Sequence, residues 1–139
     1  MEEMKQIWDP LRKKEVALTP EERVRQWFIG FMVRSMKIPA HMMMSEVGFK
    51  LGQKQFRADI LVYDRQARPL AVVECKRPEV QLGKEVLMQA VRYNMVLDVR
   101  YIIITNGMAT FMFRKKGHEA SEGYGPVEKV PVYEEMLAQ

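Results

Sequence analysis

The run Tyr101-Ile102-Ile103-Ile104-Thr105 is apolar on both alternating faces, so as a strand it needs cover on both sides. Ahead of it, Lys84 to Leu97 carries a helical period, and Leu70 to Lys76 is a largely apolar strand. Strand, amphipathic helix, buried strand is the order of a crossover between parallel neighbours. The chain is therefore expected to be α/β, with a mixed β-sheet of an antiparallel meander plus a crossover strand, flanked by helices.

A length of 139 residues suits one domain, 1–139, read as a leader (1–18), a core (19–113) and a C-terminal extension (114–139). Its 47% apolar content supplies a core, and with 29% charged residues, 8 Gly, 7 Pro and no repeats, disordered, collagenous and solenoid architectures are disfavoured. The net charge of +4 permits a nucleic-acid partner without requiring one. Cys75 is the single cysteine, so no intramolecular disulfide forms, and His41 and His118 beside it give no structural zinc spacing. A reducing, cytoplasmic location is expected. Met1-Glu2-Glu3-Met4 opens no targeting pattern, and no apolar run approaches the ~20 residues of a membrane span. Met42 to Met44 read as adaptable packing residues.

Thr19-Pro20-Glu21-Glu22 starts a helix that runs to about Met36. Val24, Trp27, Phe28, Phe31 and Met32 form its apolar stripe, with Glu22 opposite. Strands are expected from Ser45 to Leu51, Arg57 to Tyr63 and Leu70 to Lys76. Asn106-Gly107 turns the chain back along Ala109 to Phe113, and a short strand at Val127 to Val132 precedes a terminal helical turn. Residues 1–18 read as a charged, weakly patterned leader.

Two strands carry a carboxylate among apolar neighbours: Asp59 in Arg57 to Tyr63, and Glu74 in Leu70 to Lys76. If Tyr63 opposes Leu70, then Leu61 faces Val72 and Asp59 faces Glu74, about 5 Å apart on one side of the sheet. Two like charges so placed need a cation, and their oxygens suit Mg²⁺ or Mn²⁺. Lys76 stands one pleat further along. The competing reading is of fringe charges on a solvated face, ion-paired with Lys76 or Arg57.

Asp59 with Glu74-Cys75-Lys76 fifteen residues on resembles the signature of the PD-(D/E)XK nuclease superfamily. The closer resemblance is to the N-terminal nuclease domain of type I restriction enzyme R subunits. It is carried by Thr19 to Gln26, Arg57 to Asp64, Val73 to Pro78, Gln89 to Asn94 and Ile104 to Gly107. The resemblance implies a restriction-endonuclease-like core and an Mg²⁺-dependent endonuclease acting on DNA. Asp59, Glu74 and the Cys75 backbone carbonyl would hold the metal, and Lys76 would orient water and steady the developing charge. The Cys75 side chain reads as packing. Glu22 is either a further metal ligand or simply part of the helix cap, with Glu21 as its substitute. Gln89 and Tyr93, four apart on one helix face, resemble a Gln-X-X-X-Tyr element that contacts substrate, or are ordinary surface and packing residues. Arg57 and Arg77, with Arg25 and Arg92, would hold phosphates. His118 and Arg114-Lys115-Lys116 read as a solvated loop.

The family domain is normally fused to a motor, but these residues contain no Gly-X-X-X-X-Gly-Lys-Ser/Thr loop. A stand-alone nuclease is the reading taken. Motor or specificity subunits acting in trans, and a homodimer for double-strand cutting, are the further partners considered. The alternative function is a non-catalytic DNA-binding or assembly module.

Overall fold

The structure, a computed structural model, describes residues 5–138, so the reading of Met1 to Met4 lies outside it. Strands β3 (Met43–Leu51), β4 (Lys54–Tyr63), β5 (Pro69–Cys75), β6 (Tyr101–Thr105), β7 (Thr110–Lys115) and β8 (Tyr124–Pro126) form a six-stranded sheet in chain order. Only β5 and β6 run parallel, joined by helix α2 (Lys84–Asn94); the other neighbours are antiparallel. Helix α1 (Pro20–Arg34) covers one face: Val24, Phe28 and Met32 pack on Ile60, Val62, Val73 and Ile103. Helix α2 covers the other, where Ala90 joins Leu61, Val72, Ile102 and Ile104. All five residues of β6 are buried, because alternate isoleucines feed two different cores. Each fully buried side chain of this size contributes about 1.5–3 kcal/mol, so the crossover is held from both faces. No described helix is long and apolar enough to cross a membrane.

The leader is more ordered than its sequence pattern implies. β1 (Gln6–Asp9) and β2 (Lys14–Ala17) form an antiparallel hairpin, which Arg12 ties to α1 by donating to Glu22 Oε1 at 2.6 Å. Val24, Phe28 and Met32 of the expected stripe are buried and Phe31 packs beside them, but Trp27 is 47% exposed while Ile29 is 3% exposed, and Glu22 lies buried with Arg25 rather than outside.

The expected pairing of Leu61 with Val72 is present, but Tyr63 pairs with Pro69 rather than Leu70, across a bulge that absorbs one residue. The short C-terminal strand also lies earlier than expected, at Tyr124–Pro126, with no strand over 127–132. An edge position tolerates Gly125 and Pro126, whereas Pro131 interrupts the more β-prone segment. Helix α3 (Tyr133–Leu137) supplies the terminal helical turn, with Tyr133 and Met136 in the core.

Candidate active site

Asp59 sits where the sheet's alternation fails. Ala58 and Leu61 pack in one cluster although they are three residues apart, so the intervening segment does not keep a strict period of two. Directly across β3, Glu46 takes a left-handed backbone conformation (φ 57°), rare for a residue with a side chain. The ladder between β4 and β5 stops at Ile60 opposite Val73, and beyond it Asp59 Oδ2 accepts the Cys75 N–H at 2.7 Å. The carboxylate thus replaces a strand-to-strand bond and anchors the end of β5.

Glu74 lies one residue before that bond. Its Oε1 accepts Asn94 Nδ2 at 3.0 Å, and its Oε2 lies 2.9 Å from Lys76 Nζ. Lys76 itself is fixed through its N–H, which donates to the Thr105 carbonyl at 2.8 Å and continues the parallel ladder. Asp59, Glu74, Cys75 and Lys76 line a single cavity of about 420 Å³. Glu21 from the first turn of α1 and Val86, Gln89, Ala90, Tyr93 and Asn94 from α2 complete it. The cavity therefore opens at the carboxyl end of β5, between the two helices.

Burial pushes the Asp59 carboxyl above its ordinary range; the Cys75 N–H and the Arg25 charge oppose the rise, and Glu21 and Glu74 add to it. The hydrogen bond to Glu74 raises Lys76 against the effect of burial, so its ammonium is secure at neutral pH. Burial likewise raises the Cys75 thiol, which is 2% exposed and protonated, as a packing role requires.

Gln89 and Tyr93 stand in the cavity wall as their spacing implies. The Tyr93 hydroxyl accepts the Arg57 N–H at 3.1 Å, and its ring packs on Phe56. The Arg57 side chain is at the rim, exposed and paired with Glu46. Glu22 is not in the wall. Its carboxylate is taken by Arg12, by Gln26 at 3.0 Å and by Arg25 at 3.6 Å, while its N–H donates to the cap oxygen of Thr19 at 3.1 Å. One step along the helix, Glu21 faces the cavity instead. Arg77 pairs with Glu79 outside the wall, Arg25 is buried against Glu22 and Glu46, and Arg92 borders an apolar groove elsewhere. None of these three lines the cavity.

Asn94, 2% exposed, joins the cavity wall without standing among the residues that the sequence points to. Its signal was available: Val86, Ala90 and Asn94 form one i, i+4 row on α2, and the last member is an amide where a third apolar residue would ordinarily stand.

Fold and cavity together define an α/β domain that gathers acids and an amine at the end of a parallel strand pair. The chain belongs to the family described as type I restriction enzyme R protein N terminus (HSDR_N), whose model matches residues 20–131. Over 57 residues it is 40% identical to the type I restriction enzyme EcoAI endonuclease subunit of Escherichia coli, covering 41% of this chain and 7% of that relative. A solved fragment assigned to the HsdR subunit of a type I restriction enzyme from Vibrio vulnificus YJ016 superposes with a TM-score of 0.59 at 20% identity, covering 84% of this chain and 24% of that one. The chain thus spans a small part of each relative, and the second likeness shows the fold.

Proposed function

We propose that this chain is a nuclease domain that hydrolyses DNA phosphodiester bonds with Mg²⁺, for which Mn²⁺ substitutes. The observation that carries the reading is the convergence of Asp59, Glu74 and Lys76 in one cavity. Family membership and the likeness to a relative named as an endonuclease subunit support it.

The donors suit such an ion. Mg²⁺ is usually held by one or two carboxylates, keeping its waters and substrate oxygens, rather than by a full protein cage. Among the described residues no group of three or more His, Cys, Asp or Glu forms a cage, but Asp59 has an oxygen outside its bond to Cys75 and Glu74 shares its cavity. Asp59, Glu74 and the Cys75 carbonyl would hold the ion, and Glu21 takes the place first given to Glu22. When bound, a divalent ion polarises a phosphate and lowers the pKa of its water. Asn94 and Lys76 orient Glu74. The Lys76 ammonium, held 2.9 Å from Glu74 Oε2, would steady negative charge developing on an attacked phosphate. Gln89, Tyr93 and Arg57 border the path a strand would take. Motor or specificity subunits acting in trans, and a homodimer for double-strand cuts, complete the proposal.

One observation favours a non-catalytic DNA-binding or assembly module: both Glu74 oxygens are already engaged, by Asn94 and Lys76. Plasmid incubation with Mg²⁺ or Mn²⁺ separates the two readings. The wild-type chain is expected to nick or linearise the DNA, and Asp59→Ala, Glu74→Ala and Lys76→Ala are each expected to slow this at least ~100-fold while remaining folded. Full activity in all three variants defeats the nuclease reading. Salt-sensitive binding with no cleavage under either ion leaves the binding module.

A further inference from the structure

At the other end of the central strands lies a second cavity, of about 540 Å³, whose wall carries Arg100, Arg114, Lys115, Lys116 and His118 and no carboxylate. Arg114 opposes Tyr101 in the β6–β7 ladder, and Arg100 immediately precedes β6. The acidic cavity lies past the far end of the same strand, where Cys75 opposes Thr105. The five residues of β6, about 16 Å of extended chain, separate the two.

Carboxylates near the basic cavity are committed to local structure. Asp98 accepts Lys115 Nζ and the Ala120 N–H, each at 2.9 Å, and Glu122 accepts the Glu119 N–H at 3.1 Å. Arg100 Nη1 donates to the Met136 carbonyl at 2.6 Å. Arg114 and Lys116 are exposed, and among the described residues neither has a salt-bridge partner. Lys116 is laid along the cavity floor: a Cβ on Gly125 would come within 3.3 Å of its Cε. An adjoining hollow shares Arg114 and Pro126 and adds Lys129, together with Tyr101 and Glu135, whose Oε1 accepts the Val132 N–H at 3.0 Å, and this second hollow carries the surface on from Arg114. No Phe, Tyr or Trp ring lines the larger cavity, so it offers charge to a phosphate but no platform for a base.

We infer that this basic cavity is a second, sequence-independent docking site for the phosphodiester backbone of duplex DNA, remote from the proposed cleavage centre. The choice of DNA as the polyanion rests on the proposed function.

The test follows a labelled random-sequence duplex by fluorescence anisotropy with the whole 139-residue chain as salt is raised. The double variant Arg114→Ala/Lys116→Ala is expected to bind about tenfold more weakly, with a log–log salt slope smaller by about two, one per lost phosphate contact. Lys14→Ala/Lys50→Ala removes the same charge from exposed positions elsewhere and is expected to leave the slope nearly intact. An equal loss in both double variants, or an unchanged slope in the first, overturns the site. Tripolyphosphate is the second probe. If the wild-type chain binds it stoichiometrically, and Arg114→Ala/Lys116→Ala loses that binding but not DNA, the cavity is a small-phosphate site and the DNA assignment falls. Cleavage is read in the same samples. A chain that binds with the full slope but never cuts loses the nuclease reading and keeps this site; a first double variant that binds and cuts like wild type does the opposite.

Discussion

Asn94 holds Glu74 from behind. Its Nδ2 donates to Glu74 Oε1 at 3.0 Å and to the Ala90 carbonyl at 2.7 Å, and the side chain is sealed from water. A leucine there keeps the volume but strips the carboxylate of its neutral donor, leaving Lys76 to draw it aside. Groups that orient metal ligands typically change affinity or activity 10–100-fold when removed, so Asn94→Leu is expected to weaken Mn²⁺ binding by about that factor. Loss of a buried hydrogen bond at this site costs about 1–3 kcal/mol of stability. Calorimetric titration with Mn²⁺ and a denaturant melt read the two effects, and unchanged Mn²⁺ affinity would detach Asn94 from the site. At this scale Asp59, Glu74 and Lys76 were legible because an acid in an apolar strand has few bland explanations. Glu21 against Glu22 was not, since both fit a helix start and only the position of Arg12, far along no sequence pattern, decides which one faces the cavity.

The N-terminal hairpin shows why some elements escape sequence reading. β1 and β2 are four residues each, too short for alternation to stand out, and their connection depends on Lys13 adopting a left-handed conformation (φ 52°) that lysine does not announce. Its stability depends on charge instead. Burial opposes ionisation of Asp9, but hydrogen bonds from Arg12, the Leu11 N–H and Gln26 outweigh it and hold the carboxyl below its ordinary range. A depressed folded value means the stabilisation is fully present above the unfolded pKa of about 3.9 and disappears as pH falls through the lower folded value. Asp9→Asn is therefore expected to flatten the decline in melting temperature below about pH 4, measured against wild type under the same salt. Arg12→Ala leaves both Asp9 and Glu22 without their main cation, and given the partial exposure of Arg12 a cost of about 2 kcal/mol is expected from the same melts at neutral pH. By contrast, β6 and the crossover were legible because a doubly buried strand has one arrangement that satisfies it, whereas the edge strand β8 is set by pairing with β7 rather than by its own residues.

Across the whole molecule, the cavity opens where two independently packed faces meet. α1 brings Glu21 from one side and α2 brings Gln89 and Asn94 from the other, while the sheet between them supplies Asp59 and Glu74 at the point where its alternation fails. Such a site works against the fold that builds it. The Asp59 carboxyl, raised chiefly by burial, contributes most when protonated, and that contribution is lost as pH rises through its folded value. At neutral pH without divalent ions the charged form is thus a destabilising element, and Asp59→Asn, whose amide oxygen still accepts the Cys75 N–H, is expected to melt higher than wild type. A cation that binds only the folded chain reverses the order: at 100 times its dissociation constant it stabilises by about 2.7 kcal/mol. Mn²⁺ is accordingly expected to raise the melting temperature of the wild-type chain and to leave Asp59→Asn close to its metal-free value. A variant stabilised by Mn²⁺ as much as the wild type would place the ion elsewhere, and a variant less stable than the wild type without metal would mean that the buried charge is better compensated than its neighbours Glu21 and Glu74 allow.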